Sequence, residues 1–357
     1  VSETYALAGV DIVAADQAVD RIKSHVRSTY IPGVLGDVGG FGGLFDLAAL
    51  DLVDPVLVST TDGVGTKALV ASMVGRYDTI GIDAVAMCVD DLICQGAKPL
   101  FLLDYLSVGK LDPAMAEALV AGVAEGCRQA GCALIGGEMA EHPGVLEPGE
   151  FDLAAFAVGA VSRGQILTGA AVTPGDALIG IASPNLRSNG YSLARRLYFE
   201  VAGRSPHDPA WDDADHTVAD ELLSPSVIYA PAVLALIDAV DVHAVAHITG
   251  GGIPGNLVRV LADDTDARVE RGSWSQPRVF DELQQIGRID DDELLRTFNC
   301  GLGMIAIVAA ADADAAVEHL ATLGHQAWLV GHVTARDVAS SGPRVHIVRD
   351  EPVADVH

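Results

Sequence analysis

The apolar positions change period several times along the chain, and each change predicts an element. Val10, Ile12, Val13, Ala15, Val19, Ile22 and Val26 follow helical spacing, with Asp11 near the cap. Pro55-Val56-Leu57-Val58-Ser59 is a short apolar run that reads as a buried strand. Residues 78–97 carry Ile80, Ile82, Val85, Met87, Cys88, Leu92 and Ile93, a second helical pattern. Asp112 caps a helix that opens on Pro113 and runs to Gly131. Residues 100–108, 132–135 and 151–161 read as strands. Gly164, Gly169, Pro174 and Gly175 then break the pattern. A strand over 177–182 restarts it, followed by a mostly helical stretch over 218–240 and alternation over 242–249. Helices are expected near 255–261, 278–286, 291–298 and 312–323, with strands near 302–308, 327–333 and 345–348. The succession predicts an α/β (α+β) protein of two domains, residues 1–165 and 174–349.

The strand at Pro55 leads into Thr60-Thr61-Asp62-Gly63-Val64-Gly65-Thr66-Lys67. Glycines let backbone N–H groups approach an anion, while Asp62 would repel a bare phosphate unless a divalent cation lay between them. The stretch fits a metal-bridged phosphate site, and it also fits an ordinary glycine turn. Asp83 and Asp90 lie two helical turns apart on one face of an apolar segment, with Asp91 beside them. Carboxylates there need a partner, because burying charge is costly. A Mg²⁺ shared with Asp62 supplies one, Asp91 being the preferred ligand; pairing with Lys98 or a place on the helix surface is the alternative. Gly136-Gly137-Glu138, after another strand, offers a further acid.

Six glycines fall within the eleven positions 33–43. They exclude a regular helix and suit either a flap over a nucleotide or a flexible connection. No Walker A pattern occurs. In the second half, Ser188-Asn189-Gly190 follows a strand and fits an anion site or a helix cap. His247-Ile248-Thr249-Gly250-Gly251-Gly252 ends another strand, so His247 is either a catalytic candidate or a hydrogen-bonded core residue.

Charge narrows the classes. Lys and Arg number 22 against 49 Asp and Glu, a formal charge of −27, which disfavours nucleic acid and anionic membrane surfaces as partners. A phosphorylated ligand must then be met locally, by N–H groups, metal or a few basic residues. The five cysteines show no CxxC spacing and read as reduced thiols of a cytoplasmic protein. Neither a signal-peptide pattern nor an apolar run of membrane-spanning length is expected.

Taken in order, GGFGG, TDGVGTK, the run from Asp78 through MCVDDL to Leu106, GCALIGGE, SNGYSL, HITGGG and TFNCGLGM resemble the phosphoribosylformylglycinamidine cyclo-ligases, or aminoimidazole ribonucleotide synthetases, over nearly the whole chain. The resemblance implies two α/β domains and a homodimer in which the N-terminal sheets pair. It implies ATP and Mg²⁺ as cofactors and formylglycinamidine ribonucleotide as the small-molecule substrate, cyclised in purine biosynthesis. Lys23, Gly39, Gly40, Phe41, Gly42, Gly43, Gly63, Val64, Gly65, Thr66 and Lys67 would then serve ATP and its phosphates. Asp62, Asp91 and Glu138 would hold metal, with Asp62 and His247 catalytic. Ser188, Asn189, Gly190, Thr249, Gly250, Gly251 and Gly252 would face the substrate. One position departs from the family: many members carry His immediately before Ser-Asn-Gly, and this chain has Arg187.

Two other readings compete. Gly63-x-Gly65-x-x-Ala68 after a strand is a degenerate dinucleotide fingerprint, with Asp83 as the ribose acid, but Asp62 then stands where a pyrophosphate must approach. A nucleotide-responsive binding protein without turnover rests on Arg187 alone.

Overall fold

The computed structural model describes residues 11–37, 39–40, 42–337 and 341–349. Contacts gather the chain into two compact units. The first takes the chain up to Ile93, then Ala97–Gln165 and Tyr191–Pro231. The second takes Cys94–Gly96, Ile166–Gly190 and the chain from Ala232. The stretch from Tyr191 to Pro231, expected within the second domain, therefore packs with the first unit.

In the first unit, helix α1 spans Ile12–Arg27, and Asp11 caps it by accepting the N–H groups of Val13 and Ala14. Strands β1 (Val34–Leu35) and β2 (Leu44–Phe45) form a small antiparallel pair flanking the glycine-rich loop. Strand β3 spans Pro55–Gly63, β4 Lys98–Val108, β5 Ala133–Glu141 and β6 Phe151–Ser162. They form one mixed sheet in the order β3-β6-β4-β5, parallel only between β4 and β5. Helices α2 (Lys67–Val74), α3 (Ile80–Ile93) and α4 (Pro113–Ala130) complete the N-terminal part of the unit.

Almost every residue of α3 is buried, which explains its lack of a polar face. It lies between α4 and the sheet. Glycines set the α3–α4 approach: a Cβ on Gly81 would stand 2.1 Å from the Val123 nitrogen, and one on Gly122 would stand 2.7 Å from the Asp78 carbonyl. The short helices α5 (Tyr191–Arg195) and α6 (Val218–Leu222) also belong here. Thr217 and Asp220 form a reciprocal capping box at the start of α6.

The second unit is built on a six-stranded sheet. Its strands are β7 (Ala177–Ala182), β8 (Val242–His247), β9 (Thr265–Glu270), β10 (Leu302–Val308), β11 (Ala327–Ala335) and β12 (Val345–Val348). The order is β12-β9-β11-β7-β10-β8, antiparallel except for β12 on β9. Helices α7 (Ala230–Ala239), α8 (Gly252–Leu257), α9 (Arg278–Gly287), α10 (Asp291–Thr297) and α11 (Ala313–Thr322) connect these strands. The interior strand β10 is buried along its whole length, as its unbroken apolar run Leu-Gly-Met-Ile-Ala-Ile-Val requires.

Candidate functional site

Two groups of the expected residues are assembled, one within each unit. In the first, the alternation of β3 points Val56, Val58, Thr60 and Asp62 toward α3, and Leu57, Ser59 and Thr61 away from it. The Thr60 hydroxyl donates to the Cys88 carbonyl of α3 at 2.9 Å. The Cys88 thiol is pushed up to about 12, first by burial and then by the negative charge of Asp62, with Asp91 adding to it. Asp62 ends the strand face that is bound to α3, and Asp91 lies three residues beyond Cys88 on that helix. An Asp62 oxygen also accepts the Gly63 N–H at 2.7 Å.

The turn beyond Asp62 is bonded into the protein except at Gly65. The Val64 N–H is taken by the Leu153 carbonyl at 3.0 Å, while Gly65 has a φ of +57° and nothing within 4 Å of where a Cβ would stand. The Thr66 hydroxyl lies 3.2 Å from that of Ser192, at the start of α5.

Lys67 is placed differently from the expectation of a phosphate ligand. It is fully buried, with its ammonium 2.7 Å from Asp83 and 2.8 Å from the Ser224 carbonyl. The same ammonium stands 5.5 Å from the centre of the Tyr191 ring. The other oxygen of Asp83 accepts the Ser226 N–H and hydroxyl at 2.9 and 2.6 Å, and Asp90 accepts the Tyr229 N–H at 3.0 Å. The two acids spaced seven apart on α3 therefore hold the segment Ser224–Tyr229, which answers the question of their partners without a metal.

Glu138 is not brought to Asp62 and Asp91. Asp62, Ala155, Asp104 and Gly137 stand opposite one another across the four strands, so they share the face toward the helices. Glu138 is the next residue on β5, pairs with Tyr105, and so points to the other face. The Asp62 and Glu138 backbones are also three strand spacings apart, roughly 14 Å. Among the described residues, no group of three or more His, Cys, Asp or Glu side chains is arranged to hold a metal.

Asp104 was not singled out by the sequence pattern. It lies on the Asp62 face with only Ala155 between them, and burial pushes its carboxyl up to about 7. A Cβ on Gly137 would fall 2.0 Å from its Oδ1, so the second glycine of Gly136-Gly137 makes room for this carboxyl.

In the glycine-rich loop, Gly39 and Gly42 have nothing within 4 Å of a notional Cβ, whereas a Cβ on Gly43 would meet Ile135 at 2.7 Å. Gly40 is nearly as open, and Phe41 lies outside the described residues. Lys23 sits on α1 in an exposed pair with Asp20 at 2.7 Å, an interaction that contributes little to stability.

The second group closes the end of β8. His247 is buried, and its Nε2 lies 3.2 Å from Nη2 of Arg187. Ser188 follows with a buried hydroxyl. The Asn189 amide nitrogen stands 3.8 Å from where a Gly250 Cβ would be. Thr249 contacts Asn256, whose amide donates to the carbonyls of Thr249, Gly250 and Gly252 at 3.3, 3.2 and 2.9 Å. Asn256 thus fixes the Thr249-Gly250-Gly251-Gly252 loop, a support that the glycines alone did not reveal. Gly252 has a φ of +59°, and a Cβ there would lie 1.7 Å from the Leu295 carbonyl.

Residues 46–161 match the N-terminal domain of the AIR synthase related proteins, and residues 173–341 match their C-terminal domain. That defines a two-domain protein of this class. Solved structures share the fold: a thiamine-monophosphate kinase from Stenotrophomonas maltophilia has a TM-score of 0.68 at 22% identity, covering 93% of this chain and 95% of that one. The hydrogenase maturation protein HypE, solved in complex with ATP, has a TM-score of 0.64 at 19% identity, covering 93% and 91%. Curated phosphoribosylformylglycinamidine cyclo-ligases are much nearer in sequence. That of Trichlorobacter lovleyi is 52% identical across 92% of this chain and 94% of its own. That of Symbiobacterium thermophilum is 49% identical across 97% and 98%. The chain belongs to the phosphoribosylformylglycinamidine cyclo-ligase family, ligases that form a carbon–nitrogen bond in purine biosynthesis.

Proposed function

We propose that the first-unit group is the ATP–Mg²⁺ site of the cyclisation and that the His247 group receives the ribonucleotide. The observation that carries this reading is the place of Asp62 at the end of β3, on the face that Thr60 binds to Cys88 of α3, three residues before Asp91, and next to the open position at Gly65. Mg²⁺ is commonly bound by one or two carboxylates plus substrate phosphates, so a pair of acids beside backbone N–H groups suits it without a third protein ligand. Bound there, the ion would neutralise charge on the phosphoryl oxygens. Gly39, Gly40 and Gly42, which the described residues leave open, would cover the nucleotide.

In this reaction the formyl amide oxygen attacks the γ-phosphorus of ATP, and ADP leaves. The amidine-derived nitrogen then attacks the activated carbon, the carbon–oxygen bond breaks, phosphate leaves and a proton is lost. Phosphate is a far better leaving group than an amide oxygen. The protein's part is therefore positioning and electrostatics. Asp62 would hold the ion at the phosphate end, its bond to the Gly63 N–H fixing its carboxylate, while the Ser188-Asn189 turn and the Thr249–Gly252 loop hold the ribonucleotide.

Phosphate release and formation of the aminoimidazole from formylglycinamidine ribonucleotide, ATP and Mg²⁺ test the reading together. One phosphate per imidazole, only with substrate present, is the expected result. Phosphate without imidazole overturns it in favour of another phosphoryl transfer.

A homodimer is supported by the face of the β3-β6-β4-β5 sheet that the described residues leave exposed. Leu57 on β3, Phe156 on β6 and Tyr105 on β4 point away from the helices and are 55%, 41% and 42% exposed. The occupant that fits a mixed apolar face of this kind is a second copy of the same sheet. The variant Phe156→Asp is expected to shift the protein from dimer to monomer in sedimentation; an unchanged mass sinks the proposal. The five cysteines are free thiols, and among the described residues no helix is long and apolar enough to cross a membrane, which supports work in the cytoplasm.

A further inference from the structure

We propose that Arg187 is a positioning residue that sets the tautomer of His247, with the proton on Nδ1 and the lone pair on Nε2. The inference rests on the reading of the His247 group as the ribonucleotide site and adds to it a statement about proton chemistry.

A guanidinium has N–H donors, no acceptor, and a charge it does not lose. Its Nη2 stands 3.2 Å from His247 Nε2, so the hydrogen bond has one possible direction. Nε2 must accept, and a neutral ring that accepts at Nε2 carries its proton on Nδ1. The contact is sequestered, since Arg187 is only 1% exposed and is among the largest fully buried side chains.

Both partners are held independently of each other. Arg187 has a φ of +63°, a left-handed backbone that non-glycine residues seldom adopt. Its N–H donates to the Asn185 side-chain oxygen at 3.0 Å. The Asn185 carbonyl in turn accepts the Ser183 hydroxyl at 2.9 Å and the Asn299 amide at 2.9 Å. Asn299 is itself fixed, because its oxygen accepts the Gly301 N–H at 2.8 Å. On the other side, His247 is paired with Met304 of β10, and the next N–H, that of Ile248, donates to the Gly303 carbonyl at 2.9 Å. Asn185, Asn299 and Ser183 thus form a buried polar bracket that delivers the guanidinium to a ring anchored on a strand.

The consequence concerns the reaction. A general base needs a lone pair aimed at the proton it removes. In this tautomer Nδ1 is protonated, and the Nε2 lone pair is engaged by Arg187. His247 therefore acts as an oriented neutral ring that holds and donates, and it does not take the amidine proton. Arg187 makes that assignment in this chain.

The test uses full-length protein labelled with ¹⁵N in histidine. Long-range ¹H–¹⁵N correlation spectra distinguish the two neutral tautomers of His247, assigned by its loss in His247→Asn. The expected wild-type pattern has a protonated Nδ1 and a bare Nε2. Arg187→Lys, which still donates, keeps that pattern; Arg187→Met loses it. In steady-state assays Arg187→Met lowers kcat by on the order of 10–100-fold, with KM for formylglycinamidine ribonucleotide changing much less, and Arg187→Lys recovers part of the loss. A wild-type spectrum with a protonated Nε2 overturns the proposal, even if Arg187→Met does not fold. An unchanged tautomer in a folded Arg187→Met protein overturns it as well. If the wild-type protein makes no aminoimidazole, the site reading fails, while the spectra still decide the tautomer.

Discussion

Asp62→Asn is expected to lower ATP-dependent ring closure by on the order of 10³-fold while leaving the fold intact. The asparagine oxygen can still accept the Gly63 N–H that Asp62 now holds at 2.7 Å, so the local turn keeps its hydrogen bond. What disappears is the negative charge at the end of β3, which a divalent cation on the phosphates requires. The protein carries a net charge of −27 and offers no general attraction for a nucleotide, so the loss of one metal-facing charge is not made good by the rest of the surface. Glu138→Gln is the informative comparison. Glu138 points to the opposite face of the sheet, and its removal is expected to cost far less than removal of Asp62. Phosphate-release assays on both variants, with circular dichroism to confirm folding, settle the point. An Asp62→Asn enzyme within a few-fold of wild type would sink the metal-site assignment. Equal losses in the two variants would show that Glu138 reaches the same ion after all.

The parts of this architecture legible in the sequence were those decided by local chemistry. Helix α1 begins after Asp11 and α4 after Asp112, because caps and an early proline act within one turn. The apolar run of β10 is short and continuous and follows Gly301, and it forms a buried interior strand over Leu302–Val308. Strand β9 was not anticipated. Its sequence, Thr-Asp-Ala-Arg-Val-Glu, alternates charged residues with small or apolar ones and follows two further aspartates. Asp266 is tolerated there because Arg336, at 2.5 Å, and His346, at 3.3 Å, come from far along the chain; burial would raise its carboxyl, but these partners hold it below the usual range.

Glu138 shows the limit of reading motifs one at a time. Gly136-Gly137-Glu138 offers an acid at the right kind of turn, but which face of a strand it takes depends on registers with two other strands. The bulge between Leu102 and Leu103, opposite Ile135, shifts the pairing of β4 with β5 by one residue. A one-residue shift exchanges the faces of everything beyond it. Here it places Gly137 beside the carboxyl of Asp104 and sends Glu138 the other way. Nothing in the neighbourhood of residue 138 announces that outcome.

Lys67→Met is expected to destabilise the first unit by about 3–5 kcal/mol, because it strands Asp83 as a buried charge. The lysine follows a glycine turn at the end of a strand, which is the local mark of a nucleotide ligand. Its surroundings assign it to another task. Asp83, Ser224 and the face of Tyr191 surround the ammonium within the first unit. The pair thereby ties the first turn of α2 to α3 and to the segment Ser224–Tyr229, and so fixes the turn from which Asp62 and Gly63 project. Lys67→Met combined with Asp83→Asn is expected to recover much of the loss, since asparagine can accept the Ser226 N–H and hydroxyl without leaving a bare charge. Urea titrations of wild type, both single variants and the double variant measure the coupling directly. ATP affinity is measured on the double variant, where folding is least compromised. A small stability cost, together with a large rise in KM for ATP, would return Lys67 to the phosphates and show that the buried pair opens when nucleotide binds. A large cost with affinity preserved in the double variant is the outcome the geometry demands. It would mean that the lysine of this loop serves the nucleotide only through the shape it imposes on the turn.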